Sequence, residues 1–133
     1  MTNFLKLYFI TLPVFFAIDL VWLGFIAKNF YQKYLGHLLG PVNWPAALLF
    51  YLLYIVGIVI FALMPALQKN SLTHALILGG FLGLIAYATY DLSNLATLKN
   101  WPLTVVIVDI IWGTILTSAT AAATFLIITK FIK

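Results

Sequence analysis

Four long apolar runs, separated at lysines, constrain this chain more than any other feature of its sequence. They cover about residues 7–27, 44–64, 72–95 and 102–128. Each holds roughly 20 residues or more, which at about 1.5 Å per residue can cross a bilayer core about 30 Å thick. The pattern predicts one all-α domain over residues 1–133, a polytopic membrane protein built as a bundle of four transmembrane helices.

Composition excludes a soluble fold. Hydrophobic residues make up 65% of the chain and charged residues 8%, whereas soluble domains carry about 25% charged residues. A bilayer accommodates such apolar surface because lipid is the solvent for the outer helix faces, so we expect membrane lipids as partners. The basic residues are scattered lysines with no basic patch, and we therefore expect no nucleic-acid partner. Without cysteine, the chain has no thiol chemistry.

The segments between the runs contain residues typical of turns and helix starts. Residues 28–43 form the longest linker, while Pro65–Ser71 and Lys99–Asn100 are short turns. Ser71 suits a helix N-cap because its hydroxyl can accept from a free backbone N–H. Pro13 lies inside the first helix and should kink it.

An even number of helices places both chain termini on the same side of the membrane. The positive-inside rule then favours cytoplasmic termini by four lysines to three, a margin too small to decide the orientation. The lysines on the side of the termini are Lys6, Lys69, Lys130 and Lys133, and those on the other side are Lys28, Lys33 and Lys99.

All three acidic residues of the chain fall within or at the end of a predicted membrane helix. They are Asp19, Asp91 and Asp109. A charged side chain at mid-helix costs roughly 2.5–3.5 kcal/mol on insertion scales. Asp19 precedes Ala27 by eight residues, and Asp109 follows Pro102 by seven, which puts both about 10–12 Å below the same membrane surface. The three carboxyls are therefore predicted to share one leaflet.

The neighbours of the aspartates indicate that they face the interior of the bundle. Trp22 and Trp112 each follow an aspartate by three residues, on the same helix face, and can donate an indole N–H to a carboxylate. Small and hydroxyl-bearing residues share a stripe with Asp91 and Asp109, as is typical of tight helix contacts in lipid. The stripes are Gly80, Gly83, Tyr87, Asp91 and Asn94 on the third helix, and Asp109, Gly113, Thr117, Thr120 and Thr124 on the fourth.

Two interpretations of the aspartates compete. Protonated aspartates can form hydrogen bonds that join helices, since burial favours the neutral acid. Three at matching depth, with no basic residue in the spans to pair them, instead favour a functional polar site. The candidate ligand- or ion-binding residues are Asp19, Asp91, Asp109, Asn94, Trp22, Trp112 and Tyr87.

Other polar and aromatic residues have weaker functional signals. Asp91 and Asp109 could together hold a hard cation such as Mg²⁺, although two carboxylates are a weak metal signal. His37 and His74 fall on opposite sides of the membrane and cannot form one metal site. Tyr51 and Tyr54 share a helix face and either line the site or pack. Four further aromatics are typical of membrane-interface anchors, namely Tyr31, Tyr34, Trp44 and Trp101.

Two stretches of the chain resemble a known family. They are Asp19–Gly24 (DLVWLG) and Tyr90–Thr97 (YDLSNLAT), the latter continuing through Trp101-Pro102 to Asp109–Gly113 (DIIWG). They are similar to a family of small four-helix bacterial membrane proteins, domain of unknown function 2177. The resemblance covers essentially the whole chain and implies a multi-pass protein of the bacterial inner (cytoplasmic) membrane. It implies no activity, catalytic residue or cofactor.

Three functions remain open from the sequence. The bundle could bind or transport a small solute, proton or cation through the aspartates. It could instead be a membrane-embedded enzyme acting on a lipid or isoprenoid, or an accessory subunit with no site of its own. The first is favoured because the chain has no nucleophile motif, metal-ligand set or phosphate-binding arginine. Four helices of this length enclose little volume, so a homodimer is plausible.

Overall fold

The computed structural model describes residues 3–132, and within that range it is helical with no strand. Four helices are long and apolar enough to cross a membrane, which confirms the predicted all-α, four-span architecture. These four and one short helix, α2, are numbered in chain order: α1 (Phe4–Ile26), α2 (Phe30–Leu35), α3 (Trp44–Lys69), α4 (Leu72–Thr97) and α5 (Leu103–Ile132).

The helices begin where polar side chains replace missing backbone partners. Asn43 accepts a hydrogen bond from the Ala46 N–H at 3.2 Å, and Ser71 accepts one from the His74 N–H at 3.2 Å. The prediction of Ser71 as an N-cap is confirmed. Asn70 ends α3 with φ at 48°, in the left-handed region that asparagine adopts more readily than most residues.

Two of the long helices run well beyond the bounds expected from the sequence. α3 continues through Pro65 to Lys69 rather than ending near Met64. A π turn at Val59–Leu63 lies directly before this proline, and such turns accommodate the N–H that proline lacks. α5 also ends in a π turn, which carries it to Ile132.

The first linker is not purely irregular. Residues 30–35 form α2, which follows the π turn Trp22–Ile26 at the end of α1. The sequence contained no apolar period long enough to predict a helix of six residues. This short helix matters because it carries Tyr31 toward the bundle.

The described lysines are all exposed and lie in loops or within the first or last turn of a helix. Lys6, Lys69 and Lys130 fall inside helix ends because the helices are longer than expected. Lys133 lies outside the described residues. Each membrane side therefore holds three described lysines, so their count favours neither orientation.

The tightest packing joins α4 to α5. A side chain on Gly83 would collide with the backbone carbonyl of Gly113, and one on Gly113 would collide with the Tyr87 ring. Ser118 of α5 donates a hydrogen bond to the Leu76 carbonyl of α4 at 2.8 Å. Small residues let two backbones approach closely in lipid. Half of the apolar stretch of α5 is buried, a larger share than in any other span, which places α5 at the centre of the bundle.

We predict that Gly83→Ala lowers the thermal stability of the detergent-solubilised protein. The added methyl group meets the backbone of α5, and overpacking of this kind typically costs about 1–3 kcal/mol. Gly57→Ala on α3 is the matched control, because a Cβ there has nothing within 4 Å. Melting followed by tryptophan fluorescence should show a lower midpoint for Gly83→Ala only. Equal midpoints would show that the close approach of α4 and α5 is not required.

Candidate functional site

The three aspartates lie in the interior of the bundle, as their sequence stripes predicted. Asp91 is fully buried, and Asp19 and Asp109 are 6% and 7% exposed. They come from three helices, α4, α1 and α5 respectively. Since the described lysines are exposed at helix ends or in loops, no basic side chain within residues 3–132 neutralises these carboxyls.

Asp109 is held by a side chain from outside the membrane spans. The Tyr31 hydroxyl of α2 donates a hydrogen bond to Asp109 Oδ1, and the Trp22 indole N–H donates to the Tyr31 oxygen at 3.2 Å. Burial, together with the hydrogen bond to Asp109, raises the pKa of the Tyr31 hydroxyl above its ordinary value. Tyr31 therefore stays protonated and remains a donor.

Asp19 accepts hydrogen bonds from two other helices. The Trp112 indole N–H donates to Oδ1 at 3.3 Å, and the Tyr51 hydroxyl donates to Oδ2 at 3.3 Å. Trp112 therefore serves the aspartate of α1 rather than Asp109 on its own helix. The Trp22 and Trp112 rings stack with centroids 4.5 Å apart and planes 9° from parallel. This stack joins the surroundings of Asp19 and Asp109 into one cluster.

Asp91 differs from the other two because it lacks hydrogen bonds. Both of its carboxyl oxygens are buried without a partner in the described part of the chain, and so is the Trp101 indole nitrogen. The carboxyl faces Asp109 and the Trp101 indole, but no hydrogen bond of ordinary geometry forms between them. An unpaired buried carboxyl is energetically unfavourable, which makes Asp91 the least satisfied group of the cluster.

Tyr87 lies between the carboxyls and the membrane-facing side of the bundle. Its ring covers Gly113, which lies one helical turn from Asp109 on α5. On its outer side lies a groove of about 320 Å³ between α3 and α4. The groove is lined by Phe50, Ala86, Tyr87 and Tyr90.

The remaining candidates are less central. Asn94 is half-buried beside Tyr90, and it makes no hydrogen bond with an aspartate in the described range. Within residues 3–132, no group of three histidine, cysteine or acidic side chains could hold a metal ion. Asp91 and Asp109 alone remain the metal candidates that the sequence suggested. His37 and His74 are exposed.

A larger groove, of about 600 Å³, lies elsewhere on the α4–α5 surface. Its polar side chains are Thr114 and Ser118, and both hydroxyls already donate to backbone carbonyls, at 2.8 Å each. No titratable group lines it. Size alone therefore does not identify a functional site, and the carboxyls remain the candidate site.

Comparison with known proteins gives a family and no activity. The model of a family described as "Predicted membrane protein (DUF2177)" matches residues 4–126. The chain belongs to this family. No protein of curated function and no solved structure is significantly similar to it. The membership agrees with the resemblance read from the sequence, and the DUF2177 description adds no ligand or reaction.

Sequence reasoning missed two residues of this candidate site. Tyr31 was predicted to anchor the chain at the membrane interface, yet it is half-buried and donates a hydrogen bond to Asp109. Trp101 had the same prediction but is 9% exposed, with its nitrogen enclosed. No periodic pattern marks either residue, because both precede or follow the membrane helices. Tyr51 was identified as facing the interior or the site, and it contacts Asp19.

We predict that Tyr31→Phe loosens α2. The change removes the donor to Asp109 and the acceptor for Trp22, and hydrogen bonds to charged groups contribute about 1.5–3 kcal/mol. Hydrogen–deuterium exchange of the Phe30–Leu35 amides should accelerate roughly tenfold or more. Tyr34→Phe on the same helix is the control and should leave exchange unchanged. If both variants behave alike, the bond to Asp109 does not hold α2 in place.

Proposed function

We propose that this protein binds a proton or a small cation between Asp91 and Asp109, and that this binding drives the movement of the ion or of a small solute across the membrane. The observation that carries the proposal is the Asp91 carboxyl, which is fully buried, unpaired and directed at a second carboxyl. A buried charged group without a partner is unfavourable unless a ligand completes it.

Electrostatics identifies the sign of that ligand. Two carboxylates in contact repel each other, and the repulsion is strong where water is excluded. A proton shared by the pair, or a cation held between them, removes the repulsion and supplies the missing partner. An anion would increase the repulsion. The surroundings of Asp91 and Asp109 thus favour positively charged ligands.

Tyr31 offers a connection between the site and the aqueous side. It lies on α2, outside the four spans, and reaches Asp109 from the loop between α1 and α3. Breaking that hydrogen bond would free the Asp109 oxygen, and release of α2 would also require its apolar contacts with Val105 and Val106 of α5 to separate. Movement of a short segment outside the spans is the kind of local opening that ligand exchange requires.

The competing functions receive less support. For a membrane enzyme, Mg²⁺ between Asp91 and Asp109 would take most of its six ligands from water or substrate, since the described residues offer no third acidic or histidine ligand nearby. An accessory subunit without a site has no evident need for a buried, unpaired carboxyl. We therefore prefer the ion- or solute-binding function.

We also propose a location and an assembly. A bundle of apolar α-helices suits the inner membrane of a bacterium, because bacterial outer-membrane spans are β-barrels. Four helices enclose a small interior, which supports a homodimer as the working assembly. Both proposals can be examined with the purified protein in its native membrane and in detergent.

The binding proposal predicts a titrating carboxyl in infrared difference spectra. Between acidic and alkaline pH, the native protein should lose the stretching band of a buried carboxylic acid. Asp91→Asn and Asp109→Asn should each remove most of that change, because each destroys the pair. Thr124→Val is the control, since its buried hydroxyl also lacks a partner but lies outside the acidic cluster. A native spectrum without a titrating carboxyl would contradict proton binding.

The transport proposal predicts coupled flux in proteoliposomes. With a trapped pH dye, an imposed outward gradient of a permeating cation should drive proton uptake through the native protein. Asp109→Asn should abolish the uptake, and Thr124→Val should retain it. Flux equal to that of empty vesicles for every cation tested, including sodium and potassium, would confine the function to binding.

A further inference from the structure

The groove between α3 and α4 lies beside the acidic site and opens toward the membrane. Its lining residues are Phe50 of α3 and Ala86, Tyr87 and Tyr90 of α4. Phe50 and Tyr90 are 48% and 55% exposed, and both helices are membrane spans. A molecule in this groove would therefore contact the bilayer on one side and the bundle on the other.

The inner wall of the groove lies close to the carboxyls. The Tyr87 ring covers Gly113, one helical turn from Asp109, and Tyr90 precedes Asp91 in the chain and packs edge-on against Trp101 with ring centroids 5.9 Å apart. Each of these two rings thus has the groove on one side and carboxyl groups close by. No lysine lies among the residues that line the groove.

Three aromatic rings with carboxyls nearby are the kind of groups that bind organic cations. The negative face of an aromatic ring attracts ammonium groups, and aromatic cages are a recurring way to bind quaternary ammonium ligands. The volume of about 320 Å³ lies at the lower end for ligand pockets. It can accept a compact cationic head, while an attached apolar chain stays in the bilayer.

We propose that the ligand of the acidic site is an organic cation bearing an apolar chain, and that it enters sideways from the bilayer through the groove between α3 and α4. This inference rests on the proposed function, because it takes the carboxyls to be a cation-binding site. The unpaired, fully buried Asp91 carboxyl and the buried Trp101 indole nitrogen are the independent sign that the cluster is incomplete without a ligand.

Entry of the cation displaces a proton from the cluster, since both neutralise the same charge. We expect the Asp91–Asp109 pair to release it, because two neighbouring carboxyls titrate together. The titratable groups that face Asp109 are Tyr31 from α2, Asp91, Tyr87 and Tyr90 from α4, and, through the adjoining cluster, Asp19 from α1 and Tyr51 from α3.

Calorimetry of the full chain in a non-ionic detergent tests the proposal with three probes. Octyltrimethylammonium carries the cationic head and the chain, tetramethylammonium carries the head alone, and octyl sulfate carries the chain with the opposite charge. After subtraction of heats with empty micelles, only octyltrimethylammonium should bind well. Titrations in two buffers of different ionisation enthalpy should show about one proton released per cation.

Variants locate the binding at the groove. Ala86→Phe fills the groove without altering a carboxyl, and Tyr87→Leu removes the innermost ring; each should weaken octyltrimethylammonium binding roughly tenfold or more. Tyr87→Phe keeps the ring and should retain binding. Phe81→Leu is the control for loss of an aromatic on α4, because Phe81 lies outside the groove. Circular dichroism and size exclusion verify that each variant is folded.

The outcomes separate this inference from the function on which it rests. If the carboxyl titrates in the infrared spectrum but octyltrimethylammonium does not bind, the inference is wrong and proton binding stands. Equal binding of octyl sulfate, or full binding by folded Ala86→Phe, also overturns the inference. If neither titration nor cation binding occurs, the proposed function fails as well. Selective cation binding with proton release, lost in Ala86→Phe, supports both.

Discussion

The close approach of α4 to α5 determines the geometry of the acidic site. A methyl group at Gly83 would collide with the Gly113 backbone, and one at Gly113 would collide with the Tyr87 ring, so neither position has room for it. The same contact seats the Tyr87 ring over Gly113, one turn from Asp109. Asp91, one turn beyond Tyr87 on α4, then faces Asp109. A wider separation would fill the cluster with lipid chains or water and would separate the two carboxyls, so the paired site depends on the small residues of both helices.

Aromatic residues hold the rest of the site together. Trp22 and Trp112 stack across the contact between α1 and α5, and each donates its N–H to a group on another element. Because tryptophan combines a large apolar surface with one donor, this pair binds the helices together while orienting Tyr31 and the Asp19 carboxyl. The polar groups of the cluster are therefore positioned by packing, which fixes their directions more firmly than isolated hydrogen bonds would.

The sequence predicted the spans and the depth of the aspartates because both follow from local quantities. Run length predicts a crossing, and helical rise predicts that Asp19 and Asp109 share a leaflet. The partners of the carboxyls depend instead on how helices rotate against one another, which no single run encodes. Trp112 lies three residues from Asp109 yet donates to Asp19. Tyr31 reaches the site through a six-residue helix whose formation depends on tertiary contacts.

Within the described residues the Asp91 carboxyl makes no hydrogen bond that supports the fold, and this is the main reason to regard the acidic cluster as functional. An apolar residue of similar size at position 91 would remove two unpaired buried oxygens, and replacing buried polar groups by well-packed apolar ones is often neutral or stabilising. Threonines elsewhere in the bundle interior show the alternative: Thr120 satisfies its hydroxyl within its own helix, at 2.7 Å from the Leu116 carbonyl. Asp91 has no comparable local acceptor or donor. A residue that weakens the bundle while facing a second carboxyl is best explained by a ligand that completes the pair.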